Sequence, residues 1–241
     1  MVRDDDIKAY SFDIFDTTLT RCLAVPKDVF FLIQRALEGR HSQDFPQVMV
    51  KNFYSLRIQA EIKARFKKCW SQWPEVTVSD IYEEFSRPWS LSSQQKDKLM
   101  ELELSMEEKM VCPIAWTIDE IESLRKAGKR VIFASDMYLP FEFVAGLLLK
   151  AKAYHPESDR IYLSSHTGLQ KSSGDLFRYI LREEKCRPEQ LCHFGDDWYS
   201  DIAVPARLGI TLYELTPHQI RRVLRYYPFR KINRYLSRLF S

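Results

Sequence analysis

Short apolar runs that end in acidic or hydroxyl residues alternate along this chain with longer segments of helical periodicity. The clearest runs cover residues 9–15, 130–134 and 191–194, and weaker runs cover residues 160–163 and 210–215. Continuous apolar runs of this length are typical of strands buried on both faces, as in a parallel sheet. Helical patterns lie at residues 117–127, 140–152, 174–184 and 199–208. Strands that alternate with such helices predict an α/β fold with a doubly wound parallel sheet.

The long segment between the first predicted strand and the helix at residue 117 shows no strand pattern. It carries helical patterns at residues 26–40, 46–68, 78–85 and 93–110. An all-helical insertion after the first strand is the simplest account of this arrangement. The predicted parts are an α/β core from residues 1–20 and 111–215, an inserted helical domain from residues 21–110, and a tail from residues 216–241.

Composition indicates a soluble globular protein and excludes several other classes. Hydrophobic residues make up 45% of the 241 residues, charged residues make up 29%, and there are only seven glycines, which excludes collagen-like and disordered chains. The five cysteines are spread along the chain without a CxxC pair, so we expect reduced thiols in a cytoplasmic protein. No apolar run approaches the roughly 18 residues that span a bilayer, and the acidic start does not resemble a signal peptide.

Side chains with catalytic chemistry stand at the ends of the predicted strands. Asp13 lies at the end of the first, Ser135 and Lys171 follow two others, and Asp196 and Asp201 follow the last clear one. Open parallel sheets bind ligands at the carboxyl ends of their strands. Carboxylates suit a hard cation, whereas a lysine and N–H donors suit phosphoryl oxygens. The set therefore predicts magnesium-assisted phosphoryl transfer.

The order and spacing of these residues resemble the four motifs of the haloacid dehalogenase-like (HAD) hydrolase superfamily. Asp13 and Thr17 show the spacing Asp-x-x-x-Thr, Ser135 follows an apolar strand, and Lys171 precedes a helix. The fourth motif is Gly-Asp at Asp196 with a further Asp five positions on. The resemblance covers about residues 10–215. It implies a Rossmann-like HAD core and suggests that the inserted helices form a cap domain.

The resemblance also implies a role for each motif residue. Asp13 would be the nucleophile that forms an aspartyl-phosphate, and Mg²⁺ would be the cofactor. Lys171 would neutralise the phosphate and keep Asp13 ionised, and Asp201 would hold a metal-bound water or Lys171. The candidate catalytic residues are Asp13, Asp16, Ser135 and Lys171. The candidate metal ligands are Asp13, the backbone carbonyl of Phe15, Asp196 and Asp201. The candidate substrate-binding residues are Thr17, Arg21, Ser135, Asp136 and Lys171.

One position departs from the pattern of the superfamily's phosphatases. Phe15 stands where they carry a second Asp that protonates the leaving oxygen, and a missing general acid costs about 10²–10⁴ in rate. An aromatic residue at this position resembles the dehalogenase branch, which needs no metal. That branch, however, lacks the acidic motif kept here at Asp196 and Asp201. Asp16, the next residue along, either replaces the missing acid or is a turn residue.

Two other charged residues have two interpretations each. Arg21 either reaches an anionic substrate from the flap between core and cap or is a solvated loop charge. Asp197 either supports the metal site from behind its ligands or caps the helix that follows. For Asp197 the role as a helix cap is slightly favoured. The two interpretations of Arg21 are equally supported.

The segments at residues 12–17 and 135–140 look like those of a branch of predicted HAD hydrolases associated with bacterial glycosyltransferases. The expected function is a Mg²⁺-dependent phosphohydrolase for a small phosphorylated metabolite such as a sugar phosphate. The alternative is a catalytically weak HAD module that scaffolds or regulates a glycan-assembly system, and a dehalogenase is less favoured. A non-catalytic module has no use for Lys171 together with Asp196 and Asp201, which favours the enzyme.

Residues 216–241 differ in charge from the rest of the chain. They hold seven Arg or Lys and no Asp or Glu, interleaved with aromatic and aliphatic residues, whereas the whole chain has a net charge of +3. Such a segment suits an anionic membrane surface at the cytoplasmic face or a glycosyltransferase partner. Nucleic acid is less favoured than either, and packing of the tail on the chain's own core is the structural alternative.

A chain that ends at residue 215 should lose association with anionic liposomes and keep its enzymatic activity. The reason is that each basic residue near an anionic surface contributes about 1 kcal/mol of binding, and the tail holds seven of them. Co-sedimentation with liposomes at low and high salt would measure this. An insoluble truncated chain would show instead that the tail packs on the core.

Overall fold

Five parallel strands form the main sheet of the protein. The structure, a computed structural model, describes residues 6–40, 43–71 and 73–213. Its strands are β1 (Ala9–Phe12), β2 (Leu19–Arg21), β3 (Val111–Pro113), β4 (Arg130–Ser135), β5 (Arg160–Leu163), β6 (Leu191–Phe194) and β7 (Thr211–Leu212). The main sheet has the order β5-β4-β1-β6-β7 with parallel neighbours, and β2 pairs with β3 in a separate sheet. The predicted doubly wound parallel sheet is confirmed.

The described residues divide into two compact units. The sheet unit comprises residues 6–20 and 112–213, and the helical unit comprises residues 21–111. The helical unit contains α1 (Asp28–Arg40), α2 (Gln47–Lys51), α3 (Phe53–Lys68), α4 (Val78–Ser86) and α5 (Ser93–Met110). The sheet unit contains α6 (Ala115–Lys126), α7 (Phe141–Lys150), α8 (Ser164–Thr167), α9 (Asp175–Glu183) and α10 (Val204–Arg207). Short 3₁₀-helices lie at Arg87–Trp89 and Pro188–Gln190, and a π-helix lies at Trp198–Ala203.

The register of the main sheet places the ends of its central strands side by side. Phe12, at the end of β1, lies beside Phe133 of β4 and Phe194 of β6. All of β1 is buried, as is all of β4 except Arg130, as expected for strands covered on both faces. The residues that follow β1, β4 and β6 therefore meet at the same edge of the sheet.

The helices of the sheet unit form where apolar residues recur at helical spacing. In α9, Leu176, Phe177 and Ile180 are buried and pack in one cluster with residues of β1 and β4. Helix α6 starts at Ala115, two residues before the predicted start. It ends ahead of Gly128, whose φ of +72° is a left-handed conformation that glycine adopts without strain.

The helical unit contains no strand within the described part of residues 28–110, in agreement with the sequence pattern. Helix α4 begins with a capping box, in which Thr77 accepts from the N–H of Asp80 and the Asp80 carboxylate accepts from the N–H of Thr77. The single helix predicted for residues 46–68 is instead two helices. The break lies at Asn52, whose backbone is non-helical with φ −118° and ψ 14°.

A buried ion pair lies in the core of the helical unit. The Arg57 guanidinium donates two hydrogen bonds to the Glu103 carboxylate, at 2.8 and 2.7 Å, and both side chains are fully buried. Tyr82 donates its hydroxyl to Glu103 at 2.7 Å. The guanidinium also donates to Glu61 at 3.1 Å and lies 4.4 Å from the centroid of the Phe30 ring. These contacts compensate the cost of burying both charges.

None of the helices that the structure describes has the length and hydropathy needed to cross a membrane. The tail at residues 216–241, with its predicted membrane or protein partner, lies outside the described residues. Its role therefore stays a prediction from the sequence.

Glu103→Gln should lower the free energy of unfolding by about 3–5 kcal/mol, because it leaves the buried Arg57 charge incompletely compensated. Urea unfolding followed by circular dichroism would measure the loss. Lys98→Ala is the matched control, since the Lys98–Asp44 pair is 45% and 43% exposed. An exposed pair contributes about 0–1 kcal/mol. Equal losses in the two variants would contradict the importance of the buried pair.

Candidate active site

Three carboxylates meet at the carboxyl edge of the main sheet. Asp13 directly follows β1, Asp196 follows β6 by two residues, and Asp201 lies in the π-helix that comes next. The Asp13 N–H donates to the Phe194 carbonyl at 2.8 Å, which extends the pairing of β1 with β6 into the site. One oxygen from each carboxylate lies within 4.8 Å of the others. Asp13 and Asp201 are buried, whereas Asp196 is exposed.

Lys171 carries the positive charge of the site. Its ammonium group donates to Asp13 Oδ1 at 2.6 Å and also to Asp201 Oδ1. All three side chains are almost fully buried. Burial by itself lowers the pKa of Lys171, but the charges of Asp13 and Asp201 hold that pKa above its usual value. The ammonium therefore stays charged.

Asp136 holds the loop that carries Lys171. This loop lies between α8 and α9, and Asp136 follows the end of β4. One Asp136 carboxylate oxygen accepts the Lys171 N–H at 2.7 Å, and the other accepts the Ser172 N–H at 3.2 Å. The observed role of Asp136 is thus to place Lys171 at the sheet edge, whereas its predicted contact with substrate stays a prediction.

His193 has a contact in the site that sequence reasoning missed. The buried ring lies between Ser11 and Asp201, with Nδ1 3.0 Å from Ser11 Oγ and Nε2 3.0 Å from Asp201 Oδ1. Burial lowers the pKa of His193, which favours the neutral ring, although Asp201 acts in the opposite direction. Ser11 and His193 are register partners. The missed signal was a polar residue inside each of two buried strands, Ser11 in β1 and His193 in β6.

The site holds more negative than positive charge. Burial raises the pKa of Asp13 to about 7, against the opposing effect of Lys171. Asp196 is accessible to solvent, but neighbouring protein atoms partly desolvate its carboxylate, and this desolvation together with the charge of Asp201 raises the pKa of Asp196 to about 6. Burial acts to raise the pKa of Asp201 as well, but hydrogen bonding to His193 and the charge of Lys171 hold it below its usual range. Three carboxylates face one ammonium, which favours a bound cation.

The donor set fits a magnesium ion. Mg²⁺ prefers oxygen ligands and is usually held by a few carboxylates together with water. Asp13, Asp196 and Asp201 supply such oxygens close together, with an excess of negative charge. Phe15 is buried two positions beyond Asp13, and the use of its backbone carbonyl as a ligand stays a prediction.

Thr17 and Ser135 both lie buried at the same edge of the sheet. The Thr17 hydroxyl lies 3.4 Å from Asp196 Oδ1, and the Thr17 carbonyl accepts the Thr117 hydroxyl at 2.6 Å. Ser135 is the last residue of β4 and is the register partner of Leu163 in β5. The structure thus brings Thr17 to the carboxylates, and the substrate contacts of Thr17 and Ser135 stay predictions.

Asp16 lies in a tight turn between β1 and β2. Its φ is +66°, a left-handed conformation that Asp tolerates better than most residues. Its N–H donates to the Leu19 carbonyl at 2.5 Å, and its carboxylate accepts the Thr20 hydroxyl at 2.8 Å. The turn interpretation of Asp16 is therefore observed, and its role as a replacement acid stays a prediction.

The structure shows the contacts of Arg21 and Asp197, the two residues with open interpretations. The Arg21 guanidinium donates to both oxygens of Glu107, at 2.7 and 3.1 Å, inside the helical unit. Because both side chains are buried, the interpretation of Arg21 as a solvated loop charge is wrong, and its contact with substrate stays a prediction. Asp197 accepts the N–H groups of Tyr199 and Ser200, at 3.0 and 2.7 Å, and thereby caps the π-helix. The cap interpretation of Asp197 is confirmed.

Solved HAD-family enzymes match most of this chain. A 2-haloacid dehalogenase from Pseudomonas syringae pv. Tomato matches with a TM-score of 0.62 and 17% identity, over 92% of this chain and 99% of its own. An L-2-haloacid dehalogenase from Xanthobacter autotrophicus, with chloropropionic acid covalently bound, matches with a TM-score of 0.55 and 11% identity, over 90% and 81%. A HAD family enzyme from Bacteroides thetaiotaomicron, in complex with magnesium and inorganic phosphate, matches with a TM-score of 0.56 and 12% identity, over 88% and 98%.

The chain therefore has the HAD-like fold. No protein-family model matches the sequence, and no curated protein matches it. Sequence identities of 11–17% show the fold alone and do not define the reaction. The association with glycosyltransferases stays a prediction.

Mg²⁺ should bind more tightly as the pH rises from 5.5 to 8. Protons compete with the cation for Asp13 and Asp196, whose pKa values of about 7 and about 6 fall within this range. Each proton that Mg²⁺ displaces weakens the apparent affinity by about tenfold for each pH unit below the pKa concerned. Titration calorimetry at several pH values would measure this. Asp196→Asn should weaken binding and reduce the pH dependence, and an affinity that is constant over this range would contradict the assignment.

Proposed function

We propose that this chain is a Mg²⁺-dependent phosphohydrolase that acts on a small phosphorylated metabolite, such as a sugar phosphate. The observation that carries the proposal is the buried Asp13 carboxylate, bound by Lys171 and close to Asp196 and Asp201. A nucleophilic carboxylate, a fixed ammonium and a cation-binding acidic pair are the groups that phosphoryl transfer through a covalent intermediate requires. The HAD-like fold supports the same class of chemistry by analogy.

Asp13 is the proposed nucleophile, because it is buried at the strand end and oriented by Lys171. The ammonium holds Oδ1, and we assign the attack on phosphorus to Oδ2. In the first step the bond between Oδ2 and phosphorus forms while the bond from phosphorus to the leaving oxygen breaks. In the second step a water oxygen bonds to phosphorus, the bond to Asp13 breaks, and inorganic phosphate leaves.

The remaining residues of the site hold the phosphoryl group during these steps. Lys171 and the Ser135 hydroxyl, with the backbone N–H that follows Ser135, are assigned to its oxygens. Asp136 keeps Lys171 in place through the loop backbone. When bound to Asp13, Asp196 and Asp201, Mg²⁺ supplies positive charge for the phosphoryl oxygens.

The proposed reaction also requires a proton for the leaving oxygen. Phe15 supplies no proton at the position where phosphatases carry an acid. Asp16 is the nearest carboxylate in sequence, although its side chain binds Thr20. We propose that Asp16 or solvent protonates the leaving oxygen, so esters with poor leaving groups should react slowly.

Phe15 also favours a second candidate, hydrolysis of a 2-haloacid. In that reaction a carboxylate oxygen displaces halide from carbon, and neither a general acid nor a cation is needed. Two of the three solved structures reported above are dehalogenases. Halide release from 2-chloropropionate in the presence of a chelator, with no phosphatase activity, would establish this candidate in place of the first. The three carboxylates that lie close together, two of them bound by Lys171, support the phosphohydrolase.

Asp13→Asn should lower the turnover of any phosphate ester that the wild type hydrolyses by about 10³-fold or more, because the amide is a poor nucleophile. A screen of phosphorylated metabolites with Mg²⁺, read by release of inorganic phosphate, would identify the ester. The control is Asp175→Asn, which changes an exposed carboxylate paired with Arg178 and should leave turnover unchanged. Near-normal activity of the Asp13 variant would remove the covalent mechanism. Failure of the whole screen would favour the non-catalytic alternative.

Asp16→Asn should slow hydrolysis of a sugar phosphate by about 10²-fold while changing hydrolysis of an aryl phosphate little, if Asp16 is the acid. The aryl oxide leaves without a proton, whereas a sugar alkoxide needs one. Steady-state kinetics on both substrates would separate the cases. Equal losses on both would make Asp16 a turn residue only.

A further inference from the structure

Two polar side chains lie inside the central pair of strands. Ser11 of β1 and His193 of β6 are register partners, and each is almost fully buried. Buried polar groups in a sheet core cost free energy unless they are hydrogen-bonded. Here they bind each other through Ser11 Oγ and His193 Nδ1 at 3.0 Å, and the second ring nitrogen reaches Asp201. The pair therefore connects the sheet core to the acidic edge.

The contacts of Asp201 define the direction of its hydrogen bond with His193. Asp201 Oδ1 accepts from Lys171, and Oδ2 accepts the Asp197 N–H at 3.1 Å, so the carboxylate is an acceptor at both oxygens. The hydrogen between His193 Nε2 and Asp201 must then lie on the ring nitrogen. Nδ1 faces the Ser11 hydroxyl, which can donate or accept at this position. The ring thus donates to Asp201 through Nε2.

Asp201 is held on its other side by Gly195. A Cβ atom built on Gly195 would lie 2.3 Å from Asp201 Cγ and 2.5 Å from Oδ2, so the carboxylate packs directly on the glycine backbone. The Phe177 ring packs edge-on against the His193 ring, with centroids 4.9 Å apart. The Asp201 side chain is therefore confined by Gly195 and by a ring that is itself fixed in place.

These contacts determine which oxygen of Asp201 faces which partner. Oδ1 receives two donors, from Lys171 and His193, whereas Oδ2 receives one, from Asp197. A carboxylate has about four acceptor positions. Among the contacts of the described residues, the position that remains is on Oδ2, and we assign it to a cation or its water.

We propose that His193 is a positioning residue that fixes the Asp201 carboxylate for Lys171 and for Mg²⁺ without touching metal or substrate. The inference rests on the proposed function for its metal. It follows the general behaviour of metal sites, in which loss of a hydrogen bond behind the ligands weakens metal binding by about 10–100-fold. Rotation of Asp201 in the absence of His193 would also displace Lys171 from Asp13.

The test is Mg²⁺ binding by titration calorimetry, which requires no substrate. His193→Leu removes both hydrogen bonds and should weaken binding by about 10–100-fold. His193→Gln keeps a donor at a similar reach and should restore most of the affinity, whereas the shorter His193→Asn should not. Cys192→Ala is the matched control, because it truncates the neighbouring buried residue of β6 and should leave the affinity unchanged.

The outcomes separate the inference from the proposed function. Absence of Mg²⁺ binding in the wild type would overturn both. Normal binding by the wild type with equal affinity in His193→Leu would overturn the inference alone and make His193 a packing residue. Should the Leu variant fail to fold by circular dichroism, the comparison of Gln with Asn decides, because equal affinities of those two variants would also overturn it.

Discussion

The rest of the site depends on the ion pairs that the buried ammonium group of Lys171 forms with Asp13 and Asp201. A charge buried this deeply is tolerated only where opposite charges and hydrogen bonds compensate it. The compensation requires β1, the loop after α8 and the turn after β6 to end at one edge of the sheet. Parallel pairing of the central strands creates that edge, and Asp136 and His193 fix the side chains placed there.

The two units contain buried charges of two different kinds. In the helical unit, Arg57 with Glu103 and Arg21 with Glu107 form pairs in which each guanidinium binds both oxygens of a carboxylate. At the sheet edge, by contrast, three carboxylates lie close together and one ammonium binds two of them. In a matched pair each charge is compensated by the other, and the pair stabilises the fold. An excess of uncompensated charge is typical of a site that binds a ligand.

The sheet and most helices could be predicted because burial on both faces of a strand or one face of a helix leaves a local pattern of apolar residues. The boundaries of the helices and strands were harder to predict from the sequence. Residues 46–68 read as one helix but break at Asn52, and within the described part of the run at residues 210–215, which ends at residue 213, the strand covers Thr211–Leu212. A strand ends where its neighbour ceases to pair with it, and that neighbour lies far away in sequence.

The fold class and the residue types at the strand ends could be predicted from the amino-acid sequence, since both depend on local order along the chain. The partners of those residues, in contrast, depend on tertiary contacts. Arg21 pairs with Glu107, His193 lies between Ser11 and Asp201, and Lys171 bridges residues 13 and 201. A hydrogen bond acts over about 3 Å between two atoms. Residues 158 or 182 positions apart come within that distance only once the register of the sheet is formed.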